Sequence, residues 1–208
     1  MDLLSEEMLS PDLRTSERQD LIRSVADRIS PGIWQELDLL QEEAQPPADL
    51  FEWLMDSLGF SVAQAFSVQD DEVAILLLKD RGLMLRFAYP LQLYADKTNV
   101  FPVSTPSIAR EVLLARKGRI DNDVPEVTHL NIYERIRVKE NGPLQIQKMI
   151  SAPLLLPGGE ALGVMQVSRK GESPEEAAPD FSPFDLLKLN DLSQWVAPYI
   201  HRVIPPDF

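Results

Sequence analysis

The sequence predicts an α+β fold, with helices at both ends of the chain and a β-sheet between them. Apolar residues recur at helical spacing in residues 15–66 and again in 182–204. Between these segments, residues 72–89 and 149–170 alternate with the period of strands, and a turn interrupts each of them. The first strand is apolar on both faces, so we expect helices to cover both sides of the sheet.

Two helices are predicted near the N-terminus. The first covers about 15–30 and the second about 33–43, each with apolar residues along one side. The consecutive prolines in "AQPPAD" (44–49) cannot continue a helix. We therefore predict an acidic N-terminal helical extension, residues 1–46, followed by one domain, residues 47–208.

The predicted elements of the domain alternate between helix and strand. They are a helix at 49–66, two strands within 72–89, a helix that begins at Ser104 or Thr105 and stops at Lys117-Gly118, a short strand at 119–124, a helix at about 130–137, a hairpin within 149–170 and a final helix from Ser182. Pro153 removes one backbone donor, so its strand should be bulged or at an edge there. "SPFD" (182–185) resembles a capping box.

The composition excludes several classes of function. The chain has no cysteine, which excludes a disulfide framework, a thiol nucleophile and thiolate zinc sites. Its net charge of −13 disfavours nucleic-acid binding, and the first 50 residues carry twelve acids against four bases. The N-terminus lacks the pattern of a secretory signal, and no apolar run reaches the length of a membrane helix. We expect a soluble, cytoplasmic protein that binds neither nucleic acid nor a membrane.

Three motifs carry a family resemblance. The upstream motif lies within 107–124 and comprises Ile108-Ala109, Val112, Gly118 and Asp123-Val124. The hairpin motif is "SAPL" (151–154) with Gly163-Val164, and the third is "FSPFD" (181–185). Together with the order of the elements, these motifs resemble the GAF family of small-molecule sensor domains.

The resemblance implies a central antiparallel sheet with helices on both faces, and a ligand pocket between the sheet and the 95–140 segment. Members that bind cyclic nucleotides carry an Asn and a Glu where this chain has Ser168 and Leu186. Their mode of binding is therefore not expected, although a Lys170–Asp185 pair could still tie the variable loop to the last helix. Two branches of the family use cysteine, to reduce free methionine sulfoxide or to link a bilin, and neither chemistry is available here.

The candidate ligand-binding residues are polar or aromatic side chains near the implied pocket. They are Phe87, Tyr89, Tyr94, Arg110, His129, Tyr133 and Arg137. Phe87 and Tyr89 should point to one face of the sheet because they lie two residues apart in a strand. The alternative is that these side chains fill a collapsed core that holds no ligand.

The terminal helices carry more apolar surface than one face needs, and family members commonly dimerise through them. The candidate dimer-interface residues are Leu21, Ile22, Val25, Ile29, Trp195, Tyr199 and Val203. They would pair with their counterparts in a symmetric homodimer. The alternative is that these helices fold back onto their own sheet.

No catalytic or metal-binding set can be assembled from the sequence. His129 could act as the base of a Ser-His-Asp triad, but the sequence has no "G-x-S-x-G" motif to present the serine. His201 lies in the predicted final helix. Asp121 and Asp123 would point the same way in a strand, but such a cluster more often satisfies the backbone of a turn. No cofactor is expected.

The sequence thus predicts a stand-alone, non-enzymatic GAF-like regulatory domain. An unidentified small molecule would bind between the sheet and the 95–140 segment. The resulting shift would pass through the terminal helices and dimer geometry to a separate output protein. The alternative is a degenerate GAF scaffold with a closed pocket, which would act in dimerisation or protein docking.

Overall fold

The computed structural model describes residues 11–40, 46–47, 49–126 and 144–208, with side chains from residue 15 onward. Its helices are α1 (Pro11–Arg28), α2 (Pro31–Leu39), α3 (Leu50–Phe66), α4 (Leu91–Ala95), α5 (Ile108–Ala115) and α6 (Pro183–Val203). Its strands are β1 (Val73–Lys79), β2 (Met84–Tyr89), β3 (Val100–Pro102), β4 (Arg119–Asp121), β5 (Gln145–Leu155) and β6 (Ala161–Gly171). The helix predicted at about 130–137 lies outside the described residues.

The strands form one sheet of six in the order β3-β2-β1-β6-β5-β4, and every neighbouring pair is antiparallel. The central strand β1 is apolar on both faces, as the sequence predicted, and its neighbour β6 is buried along most of its length. Gly163 of β6 lies opposite Leu77 and faces the backbone of β1, where a Cβ atom would not fit. The predicted α+β fold, a central antiparallel sheet with helices on both faces, is confirmed.

One face of the sheet, which we call the terminal-helix face, is covered by α1, α2, α3 and α6. Val25 of α1 and Leu37 of α2 are fully buried in the same core as Leu54 of α3 and Val196 of α6. The two N-terminal helices therefore complete the core of the domain. The predicted boundary after residue 46 does not separate two cores.

The other face, which we call the α5 face, is covered by α5 among the described residues. Ile108 and Val112 of α5 pack on Leu76 of β1 and Phe87 of β2 in a separate, smaller core. The segment from 127 to 143, which joins the chain between α5 and β5, lies outside the described residues.

Helix α5 begins two or three residues later than predicted. Its N-cap is Ser107, whose hydroxyl oxygen accepts a hydrogen bond from the backbone N–H of Arg110 at 3.1 Å. Ser104 and Thr105 therefore do not cap this helix. The predicted capping box of α6 is confirmed, because Ser182 and Asp185 each accept a hydrogen bond from the other's backbone N–H.

Further element boundaries differ from the predictions by a few residues. Helix α1 begins at Pro11, ahead of the predicted start near residue 15, and α2 ends at Leu39. Pro153 pairs with Val164 of β6 but lies beyond the last pair that β5 makes with β4, which agrees with its predicted place at an edge. None of the described helices has the length and apolarity to cross a membrane.

Candidate functional site

A row of polar side chains crosses the α5 face of the sheet. In the ladder, Arg119 lies opposite Ser151, and Ser151 lies opposite Gln166. Ser151 and Gln166 each lie two residues from an α5-face core residue in the same strand, Met149 and Val164, so they point to the same face. The Nε2 group of Gln166 donates a hydrogen bond to Ser151 Oγ at 2.9 Å. Gln166 and Ser151 are both buried, so this polar pair lies inside an apolar layer.

Asp121 lies in the adjacent row, opposite Met149. Its Oδ1 accepts a hydrogen bond from Arg119 Nε at 2.7 Å, whereas its Oδ2 is buried and has no hydrogen-bond partner among the described residues. Burial raises the pKa of the Asp121 carboxyl, and the hydrogen bond and charge of Arg119 only partly offset this effect. Arg119 also forms an ion pair with Glu111 of α5.

Apolar side chains surround these polar groups. Leu76 and Phe87 come from the sheet, and Val112 comes from α5. The Phe87 and Phe101 rings pack at a tilt, with centroids 6.2 Å apart. A few polar groups in an apolar wall are typical of a site that orients a small ligand.

The aromatic residues predicted for the pocket are divided between the two faces. Phe87 lies on the α5 face, but Tyr89 lies in the core of the terminal-helix face. The register between β1 and β2 shifts after Ile75, because Leu76 pairs with Phe87 whereas Ile75 pairs with Tyr89. This bulge inserts Ala88 and turns Tyr89 to the other face, so the prediction that Phe87 and Tyr89 share a face is wrong. Tyr89 packs against Gly59, and burial raises the pKa of its hydroxyl.

The other candidate ligand-binding residues are also dispersed. Tyr94 packs against the terminal-helix core, where its ring contacts Phe51 and Phe208. Arg110 is half-buried in the first turn of α5, at the α5 face. His129, Tyr133 and Arg137 lie outside the described residues.

The predicted dimer residues pack within the chain itself. Val25, Ile29 and Val203 are buried in its core, so they are not available to a second copy, which corrects that prediction. Leu21, Ile22, Trp195 and Tyr199 are half-buried against the same core.

An ion pair and an aromatic cluster hold α1 and α2 on α6. The Arg18 guanidinium makes two hydrogen bonds to Asp191, at 2.5 and 2.7 Å. Trp34 of α2 packs edge-on against Tyr199, with centroids 5.2 Å apart. The alternative prediction, that the terminal helices fold back onto their own sheet, describes this arrangement.

Two further predicted interactions are not formed. Lys170 Nζ forms an ion pair with Asp71 Oδ2 at 2.9 Å, while Asp185 forms one with Lys188 at 2.8 Å. The prediction of a Lys170–Asp185 pair is therefore wrong. Asp121 is buried, whereas Asp123 lies beyond the end of β4 and is exposed, so the two do not form a carboxylate pair. His201 is exposed on α6.

Asn122, between these two acids, links the α5 face to the start of α6. Its side-chain amide donates to the backbone carbonyl of Phe181 and accepts from the backbone N–H of Phe181, both at 3.0 Å. Phe181 directly precedes the N-cap of α6. Asn122 thus joins the end of β4 to the terminal helix.

Sequence reasoning missed Ser151, Gln166 and Arg119 as site residues. The available signal was a polar residue at every second position of strands that are otherwise apolar, as in "VMQVS" (164–168). These residues form one row only because of the register in which β4, β5 and β6 pair, and the sequence of an individual strand does not give this register.

Comparison with solved structures shows that the chain is similar in fold to GAF domains. The chain is similar to the GAF domain of a phosphoenolpyruvate-protein phosphotransferase from Coxiella burnetii, with a TM-score of 0.58, 13% identity and coverage of 92% of this chain and 95% of that one. It is also similar to the corresponding Acinetobacter GAF domain, with a TM-score of 0.57, 15% identity and coverage of 89% and 93%. A free methionine-R-sulfoxide reductase from Neisseria meningitidis superposes with a TM-score of 0.55 at 15% identity, covering 94% of this chain and 93% of that one.

No protein-family model and no curated protein sequence matches the chain. At the identities given above, the structural similarity establishes the fold, and the chain therefore has a GAF fold.

Proposed function

We propose that this protein is a non-enzymatic GAF-fold regulatory domain that binds a small molecule on the α5 face, between the sheet and the 95–140 segment. The observation that carries the proposal is the row of half-buried Arg119 and buried Ser151 and Gln166 within an apolar layer. Packing alone does not favour polar side chains at these positions, since apolar residues of similar size would avoid their desolvation. Polar side chains in an apolar wall are expected where a site orients a polar ligand.

The carboxyl of Asp121 supports the same proposal. A buried polar atom without a partner costs about 1–3 kcal/mol. A hydrogen-bond donor of the ligand would recover part of this cost at Oδ2, which is buried without a partner among the described residues.

The proposed signal leaves the site through Asn122. A ligand that moves Asp121 also moves the adjacent Asn122, which holds the backbone of Phe181 at the start of α6. Helix α6 in turn holds α1 through Asp191 and Arg18. Ligand binding would therefore change the docking of α1 on α6, and a separate output protein would read that surface.

The non-enzymatic part of the proposal rests on residue chemistry. The chain resembles a methionine sulfoxide reductase in fold, but it has no cysteine, so thiol-based reduction is not available to it. The polar groups of the α5 face comprise an amide, a hydroxyl and a guanidinium paired with a carboxylate. Such groups are suited to hold and orient a ligand.

Native mass spectrometry of the purified protein tests this proposal, with Gln166→Met as the variant and Gln145→Met as the matched control. Gln145 is an exposed glutamine of the same hairpin. The wild type and the control should retain a non-covalent mass that is released on denaturation. Gln166→Met should retain about fivefold less, since one lost hydrogen bond to the ligand is worth about 1 kcal/mol. A wild-type mass equal to that of the polypeptide, after both rapid and standard purification, would contradict the proposal.

The second candidate function is a scaffold whose pocket is closed. The packing of Phe87 against Phe101 favours it, because both rings are buried and occupy part of the α5 face. Trp53 and Phe60 favour it too, since they are exposed on α3 at a spacing of seven residues and offer an apolar docking surface. Tyr89, however, lies in the core of the terminal-helix face, so it cannot help to fill the pocket on the α5 face as the scaffold hypothesis expected.

A further inference from the structure

A cleft of about 700 Å³ lies on the terminal-helix side of the molecule, away from the α5 face. We call it the Arg86 cleft. Its walls include Pro47, Glu52, Arg86, Tyr94, Lys97 and Pro205. This volume is in the range of small-molecule sites.

Arg86 is an unusual residue for the interior of this sheet. It lies opposite Leu77 of β1, whose side chain is in the terminal-helix core, and only 5% of its surface is exposed. A charged side chain is rarely buried to this extent unless an opposite charge accompanies it. Arg86 forms no ion pair with any carboxylate among the described residues.

Among the described residues, the direct contacts of Arg86 include no negatively charged group. One Nη2 hydrogen bond goes to the backbone carbonyl of Tyr94 at 3.0 Å. The guanidinium carbon lies 4.4 Å from the ring centroid of Tyr94 and 5.0 Å from that of Phe208. Nε is buried and has no partner among the described residues. The two rings and the carbonyl fix the guanidinium in place, but none of them carries a negative charge.

We propose that the Arg86 cleft binds a small molecule through an anionic oxygen group, a carboxylate or a phosphate, that pairs with Arg86. Lys97, which lines the same cleft and is exposed, supplies a second positive charge at the entrance. A planar guanidinium that is already oriented by two rings favours the paired oxygens of such a group. Glu52 and Asp207 also line the cleft, so a ligand that is anionic at one end only is favoured over one that carries several negative charges.

This proposal does not depend on a ligand at the α5 face. Arg86 and Gln166 point to opposite faces of the sheet. Arg86 lies opposite Leu77, whose side chain is in the terminal-helix core, whereas Gln166 lies two residues from Val164 of the α5 face. The two sites can therefore be tested separately.

The test follows the side-chain Nε–H signal of Arg86 by ¹H–¹⁵N NMR of the whole protein, with the signal assigned from Arg86→Lys. Sodium phosphate and sodium acetate are titrated separately, with sodium chloride at equal ionic strength as the reference. We expect a saturable shift of this signal with one or both oxyanions and none with chloride. Phosphate alone or acetate alone would identify which of the two groups the cleft takes.

Lys97→Gln should weaken the apparent affinity about threefold, as expected for one screened charge contact. Lys117→Gln, which removes an exposed lysine next to α5, should leave the affinity unchanged. A linear shift that is equal for chloride would overturn the proposal, since it would indicate an adventitious ion only. The proposal would also be overturned if the Arg86 signal did not shift. Glu42 and Glu43 shortly precede Pro46, which lines the cleft. If Glu42→Gln/Glu43→Gln moved the Arg86 signal without added anion, a carboxylate of the chain would occupy Arg86, and this too would overturn the proposal.

Discussion

Gly163→Ala tests the packing at the centre of the sheet, where the GAF-like hairpin meets β1. A Cβ atom at this position would lie 2.0 Å from the carbonyl oxygen of Leu76 and 3.0 Å from Cα of Leu77. Carbon and oxygen atoms normally approach to about 3.3 Å, so the two strands must separate by about 1 Å. The oxygen belongs to the backbone, which cannot move aside as a flexible side chain would.

The expected cost of this substitution has two parts. Separation weakens about two ladder hydrogen bonds, each worth about 1 kcal/mol. The overpacking itself adds about 1–3 kcal/mol. The free energy of unfolding should therefore fall by about 3–5 kcal/mol, and the melting temperature by about 6–20 °C for a chain of this size.

Thermal unfolding followed by circular dichroism measures this effect, with Gly158→Ala as the control. Gly158 lies in the turn of the same hairpin, has no atom within 4 Å of the added Cβ and does not have a positive φ. Its replacement should change the stability by less than about 0.5 kcal/mol. A Gly163→Ala protein that melts within about 2 °C of the wild type would contradict this prediction, because β1 and β6 could not then be so closely paired.

Three further predictions concern the terminal helices. Burial raises the pKa of Asp185, but hydrogen bonds from Lys188 and Ser182 outweigh it and lower the pKa below its ordinary value. Asp185 therefore stabilises the fold above pH 4 or so, and this contribution is lost as the pH falls through the lowered pKa. Asp185→Ala should lower the free energy of unfolding by about 1 kcal/mol at pH 7. Urea unfolding should show that this difference from the wild type becomes smaller in acid, and a difference that does not change with pH would contradict the prediction. Asp191→Asn should speed amide hydrogen exchange in α1 with little change in β5, whereas uniform acceleration would refute separate docking of α1. Asn122→Ala should leave any retained ligand mass unchanged. It should, however, remove the effect of the ligand on amide hydrogen exchange in α1, and an effect as large as in the wild type would contradict the proposed route through Phe181.

Local patterns predicted most of the fold. The capping box of α6 needs only four consecutive residues, so "SPFD" (182–185) was sufficient to place it. The two hairpins were predicted because the alternation of apolar residues has a period of two and the turns carry Gly. The start of α5 was predicted wrongly because Ser104, Thr105 and Ser107 are all acceptable caps, and only the observed backbone selects Ser107.

Features that depend on the relation between distant strands or helices could not be predicted. The bulge that inserts Ala88 is not marked by glycine, so Tyr89 was assigned to the wrong face. An apolar stripe on α1 does not specify whether its partner is α6 of the same chain or of another copy. The row of Ser151 and Gln166 and the burial of Arg86 depend on strand register, which the sequence does not state.

A crystal structure of the protein as purified tests the central claim most directly, because it shows what covers Gln166 and Ser151 on the α5 face. We expect electron density for a non-covalent small molecule within hydrogen-bond distance of the Gln166 amide or of Asp121 Oδ2, next to Phe87. It would be contradicted if side chains of the protein itself filled this face, with Gln166 and Asp121 Oδ2 hydrogen-bonded only to groups of the chain. That result would support the closed scaffold.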